Sequence, residues 1–374
     1  MGGFISNVGA VLVVESPTKQ MWTNSTESDK NVMNIKKVCV LGGAGFVGTH
    51  MVNKLEMAGY AVRVLTSKRD HAKNVSVLPK VEVVEANIFD PSELSRYFSG
   101  MDAVVNLVGI LNEGKPGRVD KPMARRGDFH EVHVELPRKV VHACAATGVK
   151  RLLHMSALNA DPNAPSAYLR SKGLGEAIVR ESGMQHSENE NWYLNGPKFV
   201  HGYGLAVTVF RPSVIFGRED SFTNMFARLL KIAPVLPLAS PSAKFQLVFV
   251  EDVAQAFVAS LNNQATFGQR YDLCGPKVYT LRELVDLVAR ITGRNSKIIN
   301  LSPQLSYLMA MVMEWIPGPK LMTRDNYLSM QVDSVCDCEF PRIFDVKPRA
   351  LEAIAPDYLS QSHHYHGFRS AAGR

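Results

Sequence analysis

The chain is poor in the features that would place it quickly. Only five of its 374 residues are cysteine, too few for a disulfide framework at this length. Cys39 falls in a predicted strand and Cys144 in a predicted helix, where a free thiol behaves as a small apolar side chain. Cys336 and Cys338 stand two apart, without a partner cysteine or the histidine spacing that zinc needs. No metal is therefore expected, and the chain reads as reduced and cytoplasmic. No apolar run reaches the roughly 18 residues needed to cross a bilayer. Phe4 to Val14 is mildly apolar but lacks the basic stretch that opens a signal peptide. Nor is any Lys/Arg run interleaved with aromatics, so the net charge of +7 suits an anionic cofactor better than nucleic acid.

What is present organises itself around Val38 to Gly48, VCVLGGAGFVG. A short apolar run empties into three glycines and then into a helical pattern from Thr49 to Ala58. Gly42 lets the chain turn off the strand, Gly45 removes a Cβ that would block a pyrophosphate, and Gly48 lets the helix lie close on the sheet. Gly42, Ala44, Gly45, Phe46, Val47 and Gly48 thus form a candidate dinucleotide cradle at a helix N-terminus. A second strand, Ala61 to Leu65, follows. An NAD site places an acid at its far end, about 20 residues past the glycines. That acid is missing here. Ser67, Lys68 and Arg69 stand in its place, and two cations beside hydroxyls suit a 2′-phosphate, so NADP(H) is favoured over NAD(H). Arg63 joins them if its side chain faces the site, which strand alternation leaves open.

The βα alternation continues. Strands are expected at 81–86, 102–109 and 150–155, a sixth strand with its exit loop at 207–217, and helices at 92–98 and 129–147. Pro137 implies a kink or a later start in the second of these helices, and Gly148 is its expected C-cap. Asn87 and Ile88, then Leu107, Val108 and Gly109, and finally Pro212, end strands on the edge where a cofactor would lie. The pattern predicts an α/β, Rossmann-type doubly wound parallel sheet with a smaller C-terminal α/β subdomain of the substrate-binding type. We expect a disordered lead-in at 1–35, a nucleotide-binding domain at 36–270 with an insertion at 184–204, and a C-terminal subdomain at 271–350 that also takes in 213–245. A tail follows at 351–374. The loop 112–128 is a candidate lid, and His186, His201 and the His363–His366 end are read as solvent-facing. Gln304 to Ile316, apolar and rich in methionine, is expected to pack in the core, with a surface for a partner or membrane as the minority reading.

Ser156 ends the fifth strand, and Tyr168-Leu-Arg-Ser-Lys172 follows it. Tyr168 and Lys172 share a helix face. Lys172 is positioned to hold the nicotinamide ribose and to lower the tyrosine pKa from its usual value near 10. Tyr168 would then exchange a proton with a carbonyl or alcohol during hydride transfer.

The motifs GGAGFVG, NIFD, NLVG, YLRSK, RPSVIFG and FVEDVA, in this order, resemble an extended or atypical short-chain dehydrogenase/reductase. MSALNAD, SAYLRSKGLGE and Arg324 to Asp333 make the chain most similar to the Rossmann-fold accessory subunit of respiratory complex I and its bacterial relatives. The resemblance implies a tightly held NADPH with a structural or regulatory role and respiratory subunits or a membrane surface as partners. It also implies a peripheral position on the cytoplasmic face of the inner membrane, or the matrix side if mitochondrial. Extended members follow the fifth strand with two or three Ser/Thr, the catalytic one second or third. Here Ser156-Ala157-Leu158 departs from that pattern, and His133 stands where Asn is frequent. Both departures argue against turnover. Two other readings are an active NADP-dependent reductase or epimerase on a small carbonyl or nucleotide sugar, and a nucleotide-occupied redox sensor.

Overall fold

A computed structural model describes residues 33–113, 128–183, 204–316 and 320–360. Most of the lead-in, the lid loop, nearly all of the insertion with His186 and His201, and the histidine-rich end lie outside the described residues. The described residues from 34 onward form one compact unit.

Its centre is a sheet of seven strands, all parallel: β1 (Lys37–Leu41), β2 (Ala61–Thr66), β3 (Val81–Glu85), β4 (Ala103–Asn106), β5 (Arg151–Met155), β6 (Ala206–Pro212) and β11 (Arg270–Leu273). They lie in the order β11-β6-β5-β4-β1-β2-β3. The order reverses at β1, which pairs with β2 on one side and β4 on the other. A crevice opens at the carboxyl ends of the strands at such a reversal. Strands buried on both faces must be apolar throughout; Val38 to Leu41 and Ala103 to Val105 have no exposed surface at all.

Helices α1 (Phe46–Met57), α2 (Pro91–Phe98), α3 (Leu136–Thr147), α4 (Ala167–Gly183) and α6 (Val250–Ser260) flank this sheet. One core joins Cys39, Leu41, Val104 and Leu152 to Leu94, Phe98, Val140 and Val141. A second core gathers α5 (Ser221–Ile232), α7 (Leu281–Ile291) and α10 (Leu351–Leu359), through Phe226, Leu230, Leu284, Val285, Val288 and Leu351. The short strands β7 (Ile215–Phe216), β8 (Val235–Leu238), β9 (Lys244–Phe245), β10 (Val248–Phe249), β12 (Tyr279–Thr280) and β13 (Lys297–Asn300) pair two by two, β7 with β10, β8 with β13 and β9 with β12. Helices α8 (Pro303–Trp315) and α9 (Arg324–Ser329) complete the set.

Several expectations need correction. Helix α1 starts at Phe46, three residues early, so Gly48 lies inside it, and a Cβ there would sit 2.1 Å from the Gly42 carbonyl oxygen. Strand β4 ends at Asn106, and Leu107 to Gly109 have already left the ladder. Pro137 falls in the first turn of α3, where its missing N–H costs nothing; a π-helical turn over Glu131–Glu135 precedes it. Gly148 caps α3 at φ +74°, as expected. Cys336 is not unpartnered: it is disulfide-bonded to Cys274, while Cys39, Cys144 and Cys338 are free. Chain folding brings together two cysteines 62 residues apart, which no local spacing announces. Nor is α8 a core helix. Its buried positions are Ser306 and Ala310, whereas Leu305, Leu308, Val312 and Trp315 are exposed, Trp315 by 85%.

Candidate active site at the carboxyl edge of the sheet

The glycine turn does what the spacing asks. Gly42 has φ +79°, and a Cβ on it would sit 3.2 Å from the Leu107 carbonyl carbon and 3.3 Å from the Val108 nitrogen. Only glycine lets β1 turn this close to the exit of β4. Gly45 is exposed, and the nearest atom to a Cβ built on it is the Gly42 oxygen at 3.3 Å. It stands at the cap of α1 with no side chain to satisfy the first N–H groups, and no acid occupies the first turn. Those amides and the positive end of the helix point where a pyrophosphate would bind. Ala44, Phe46 and Val47 are half-buried around them, and Phe46 and Val47 also pack on the second core. The cradle fits a dinucleotide phosphate.

At the end of β2, Ser67, Lys68 and Arg69 are exposed. Thr66 is buried, and its hydroxyl holds the loop by donating to the Lys68 carbonyl at 3.0 Å. Among the described residues, neither the Lys68 ammonium nor the Arg69 guanidinium has an ion pair. Arg63, left open by sequence, is committed elsewhere, to Glu82 at 2.8 Å and the Tyr97 carbonyl at 2.8 Å. Along the rest of the edge, Asn87 is held by its own N–H, which donates to Glu93 at 2.7 Å, and Ile88 is half-buried beside it. Leu107 donates to the Leu41 carbonyl at 3.0 Å, Val108 to Asn106 Oδ1 at 3.2 Å, and the Pro212 carbonyl accepts from Leu158 at 3.0 Å.

Helix α4 brings Tyr168, Lys172 and Glu176 onto one face. The helix lies unusually close to the π-helical turn: a Cβ on Gly175 would be 1.8 Å from the His133 carbonyl oxygen. His133 is buried and bridges two elements. Its Nε2 accepts the Ile110 N–H at 3.1 Å, so its Nδ1 carries the proton and donates to Ser171 Oγ at 2.9 Å. Ser171 passes the chain on to the Tyr168 carbonyl at 2.8 Å. Burial first, then the charge of Lys172, pushes the His133 pKa down to about 2, so the ring stays neutral.

The Tyr168/Lys172 pair differs from the expected one in its electrostatics. Lys172 is buried, and its ammonium donates to the Met155 carbonyl at 2.7 Å. Burial lowers its pKa to about 8, with Glu176 opposing. Tyr168 is half-buried. Burial raises its phenol to about 12, the opposite of the lowering expected from Lys172. The ring lies against Phe129, His133 and the small apolar cluster of Ala157, Ala160 and Leu169. Among the described residues its hydroxyl makes no hydrogen bond. Ser156 is buried and donates to Glu176 at 2.7 Å. Arg211 fastens the same loop, donating to the carbonyls of Ala157 at 3.2 Å and Ala160 at 3.3 Å.

A strap from the C-terminal third crosses this edge, a feature that sequence reasoning did not find. Asp325 at the start of α9 accepts from the Ala167 N–H at 2.6 Å and the Tyr168 N–H at 3.1 Å, capping the helix that carries the pair. Asn326 donates to the Leu111 carbonyl at 3.4 Å. Farther along, the Asp333 carbonyl accepts from Asn159 at 2.9 Å and the Ser334 carbonyl from Ser213 at 2.9 Å. The disulfide to Cys274 then anchors the strap beyond β11. Glu176 was missed too, although its place four residues after Lys172 is a helical-face signal. Among the described residues no acid, histidine and cysteine cluster could hold a metal, and no helix is long and apolar enough to cross a membrane.

Comparison with known proteins agrees with this architecture. The chain is 28% identical over 343 residues to the mouse mitochondrial NADH dehydrogenase (ubiquinone) 1 alpha subcomplex subunit 9, covering 87% of this chain and 80% of that one. Against the mitochondrial NADH-ubiquinone oxidoreductase 40 kDa subunit of Neurospora crassa it is 27% identical, covering 86% and 78%. A ceramide reductase of Caulobacter vibrioides is 26% identical, with 74% and 78% covered. Among solved structures, an epimerase from Methanothermobacter thermautotrophicus superposes with a TM-score of 0.62 at 17% identity, covering 90% of this chain and 95% of its own. A UDP-glucuronic acid 4-epimerase from Bacillus cereus in complex with NAD gives 0.57 at 16% identity, covering 87% and 99%. The profile of the NAD dependent epimerase/dehydratase family matches residues 38–274, and the chain belongs to that family.

Proposed function

We propose that the chain is an NADP(H)-binding short-chain dehydrogenase/reductase-like protein serving as an accessory or assembly component of NADH:ubiquinone oxidoreductase, with its nucleotide held structurally. Residues 36–270 would bind the nucleotide. Residues 271–350 and 213–245 would form the lobe above it. Its place would be peripheral, on the cytoplasmic face of the inner membrane or the matrix side in a mitochondrion. The observation that carries the reading is the exit of β5, where Ser156 is buried and committed to Glu176 at 2.7 Å and Ala157, beside Tyr168, offers no hydroxyl. One missing hydroxyl donor costs about 100- to 1,000-fold in rate.

The residues divide the work accordingly. Backbone amides of Phe46 and Val47 would hold the pyrophosphate, and Lys68 and Arg69 the 2′-phosphate. Lys172 would hold the nicotinamide ribose. NADPH supplies a hydride when bound. Around it, Phe129 and the Ala157 cluster exclude water, and His133, kept neutral, fixes Ser171 and the first turn of α4. Gentle purification tests the proposal. The protein should emerge with NADPH and respiratory-chain subunits and reduce nothing in a carbonyl panel. Protein that is nucleotide-free and unaccompanied would overturn it.

A second reading, an active reductase or epimerase, is favoured by the intact Tyr168/Lys172 pair and the kinship with a reductase. It requires a turnover that Tyr168→Phe abolishes while nucleotide stays bound.

A further inference from the structure

A cavity of about 560 Å³ lies among the β7–α5 link, one face of α5, the residues just past α7, and α10. Its wall is cationic: Arg218, Arg228, Lys231 and Arg294 line it against two carboxylates, Glu219 and Asp220. Ser221, Asn224, Arg228 and Lys231 recur along one stripe of α5, opposite the stripe of Thr223, Phe226 and Leu230 that is buried. The arrangement follows from the helix period and is aimed at the cavity rather than scattered over the surface.

Three of these charges are not balanced from within. Among the described residues Arg218, Arg228 and Lys231 have no ion pair. Asp220 is buried and already spoken for, since it accepts from the Gly217 N–H at 3.0 Å and from Thr223 Oγ1 at 2.6 Å while capping α5. Like charges gathered around a concave wall repel one another and concentrate anions from solution. Guanidinium forks match phosphate oxygens in pairs, and the volume is that of a small-molecule site. The cavity is separate from the dinucleotide cradle. None of its lining residues belongs to the glycine turn or to the β2 exit, although Gly217, just before Arg218, packs on Phe46.

We propose that this cavity is a second anion site that takes a phosphate ester, either a soluble phosphorylated metabolite or the headgroup of an anionic phospholipid. Both sources share the anionic phosphate oxygens that the cations would grip.

The test uses the full chain saturated with NADPH. Inorganic pyrophosphate is titrated in by calorimetry, and vesicles of phosphatidylcholine with and without phosphatidic acid are used for flotation. Arg228→Ala combined with Lys231→Ala is compared with Lys80→Ala combined with Lys150→Ala, which removes the same charge elsewhere. Pyrophosphate affinity that falls about tenfold or more in the cavity variant, and hardly at all in the control, identifies a soluble ligand. Flotation that requires phosphatidic acid and is lost in the cavity variant, with pyrophosphate inert, identifies the headgroup. Binding of neither probe, equal losses in both variants, or a loss of NADPH affinity alone in the cavity variant overturns the proposal. Pyrophosphate entering an empty dinucleotide cradle would survive the cavity variant, so failure of the nucleotide reading is told apart.

Discussion

Removing the carboxylate of Asp325 should loosen the first turn of α4, and the size of the effect follows from what the side chain holds. It accepts from two backbone N–H groups, at 2.6 and 3.1 Å, at the N-terminus of a 17-residue helix. Loss of such a cap costs about 1–2 kcal/mol. Withdrawing a negative charge from the positive helix end adds about 0.5 kcal/mol. A total near 2 kcal/mol corresponds to roughly 30-fold faster opening. Hydrogen exchange reads this directly: in Asp325→Ala the amides of Ala167 and Tyr168 should lose protection by that factor. Asp325→Asn keeps an acceptor and should lose about half the free energy. Asp90 caps α2 from its own chain neighbourhood, so Asp90→Ala should leave the α4 amides untouched. Unchanged protection in Asp325→Ala would refute the claim that the strap secures the Tyr168 helix.

Three other outcomes follow from the same geometry. Lys68→Ala with Arg69→Ala should weaken NADPH by about ten- to a hundredfold and NADH far less, by calorimetry; equal weakening would refute the 2′-phosphate assignment. Cys336→Ser opens a loop closed over a separation of 62 residues and should cost about 4 kcal/mol by the chain-entropy argument, seen as a lower urea midpoint that wild type matches only under reductant. The folded pKa of His133 is depressed to about 2 from 6.5, so below pH 6.5 the unfolded chain binds the extra proton and stability falls as pH drops. At pH 5 that amounts to roughly 2 kcal/mol. Urea midpoints against pH should show the loss in wild type and a flatter profile in His133→Gln.

The parts of the site that could be read from sequence are those fixed by neighbours along the chain. Val38 to Gly48 carries its own strand, turn and helix signals, and Tyr168, Lys172 and Glu176 share a face by helical spacing alone. Thr280 and Glu283 form the capping box their spacing predicts. The parts that could not be read depend on distant partners. Phe129 and His133, from other elements, crowd the half-buried Tyr168 ring and push its phenol up, which a rule about a nearby lysine does not foresee. Cys274 meets Cys336, and Asp325 meets Ala167, only after the last third of the chain has folded back. Hydrophobic pattern likewise misleads for α8, because apolar content says nothing about whether another surface covers it.

The strap has one more consequence. Asp325, Asp333 and Ser334 leave the ribosome after every strand of the central sheet, so the crevice is walled before it is roofed. A dinucleotide taken up during synthesis would enter an open cleft and be shut in by the final segments, whereas exchange in the finished protein would require the roof to lift. The first turn of α4 is then among the last parts of the edge to be fastened, because its cap, Asp325, lies 158 residues from Ala167 in the chain.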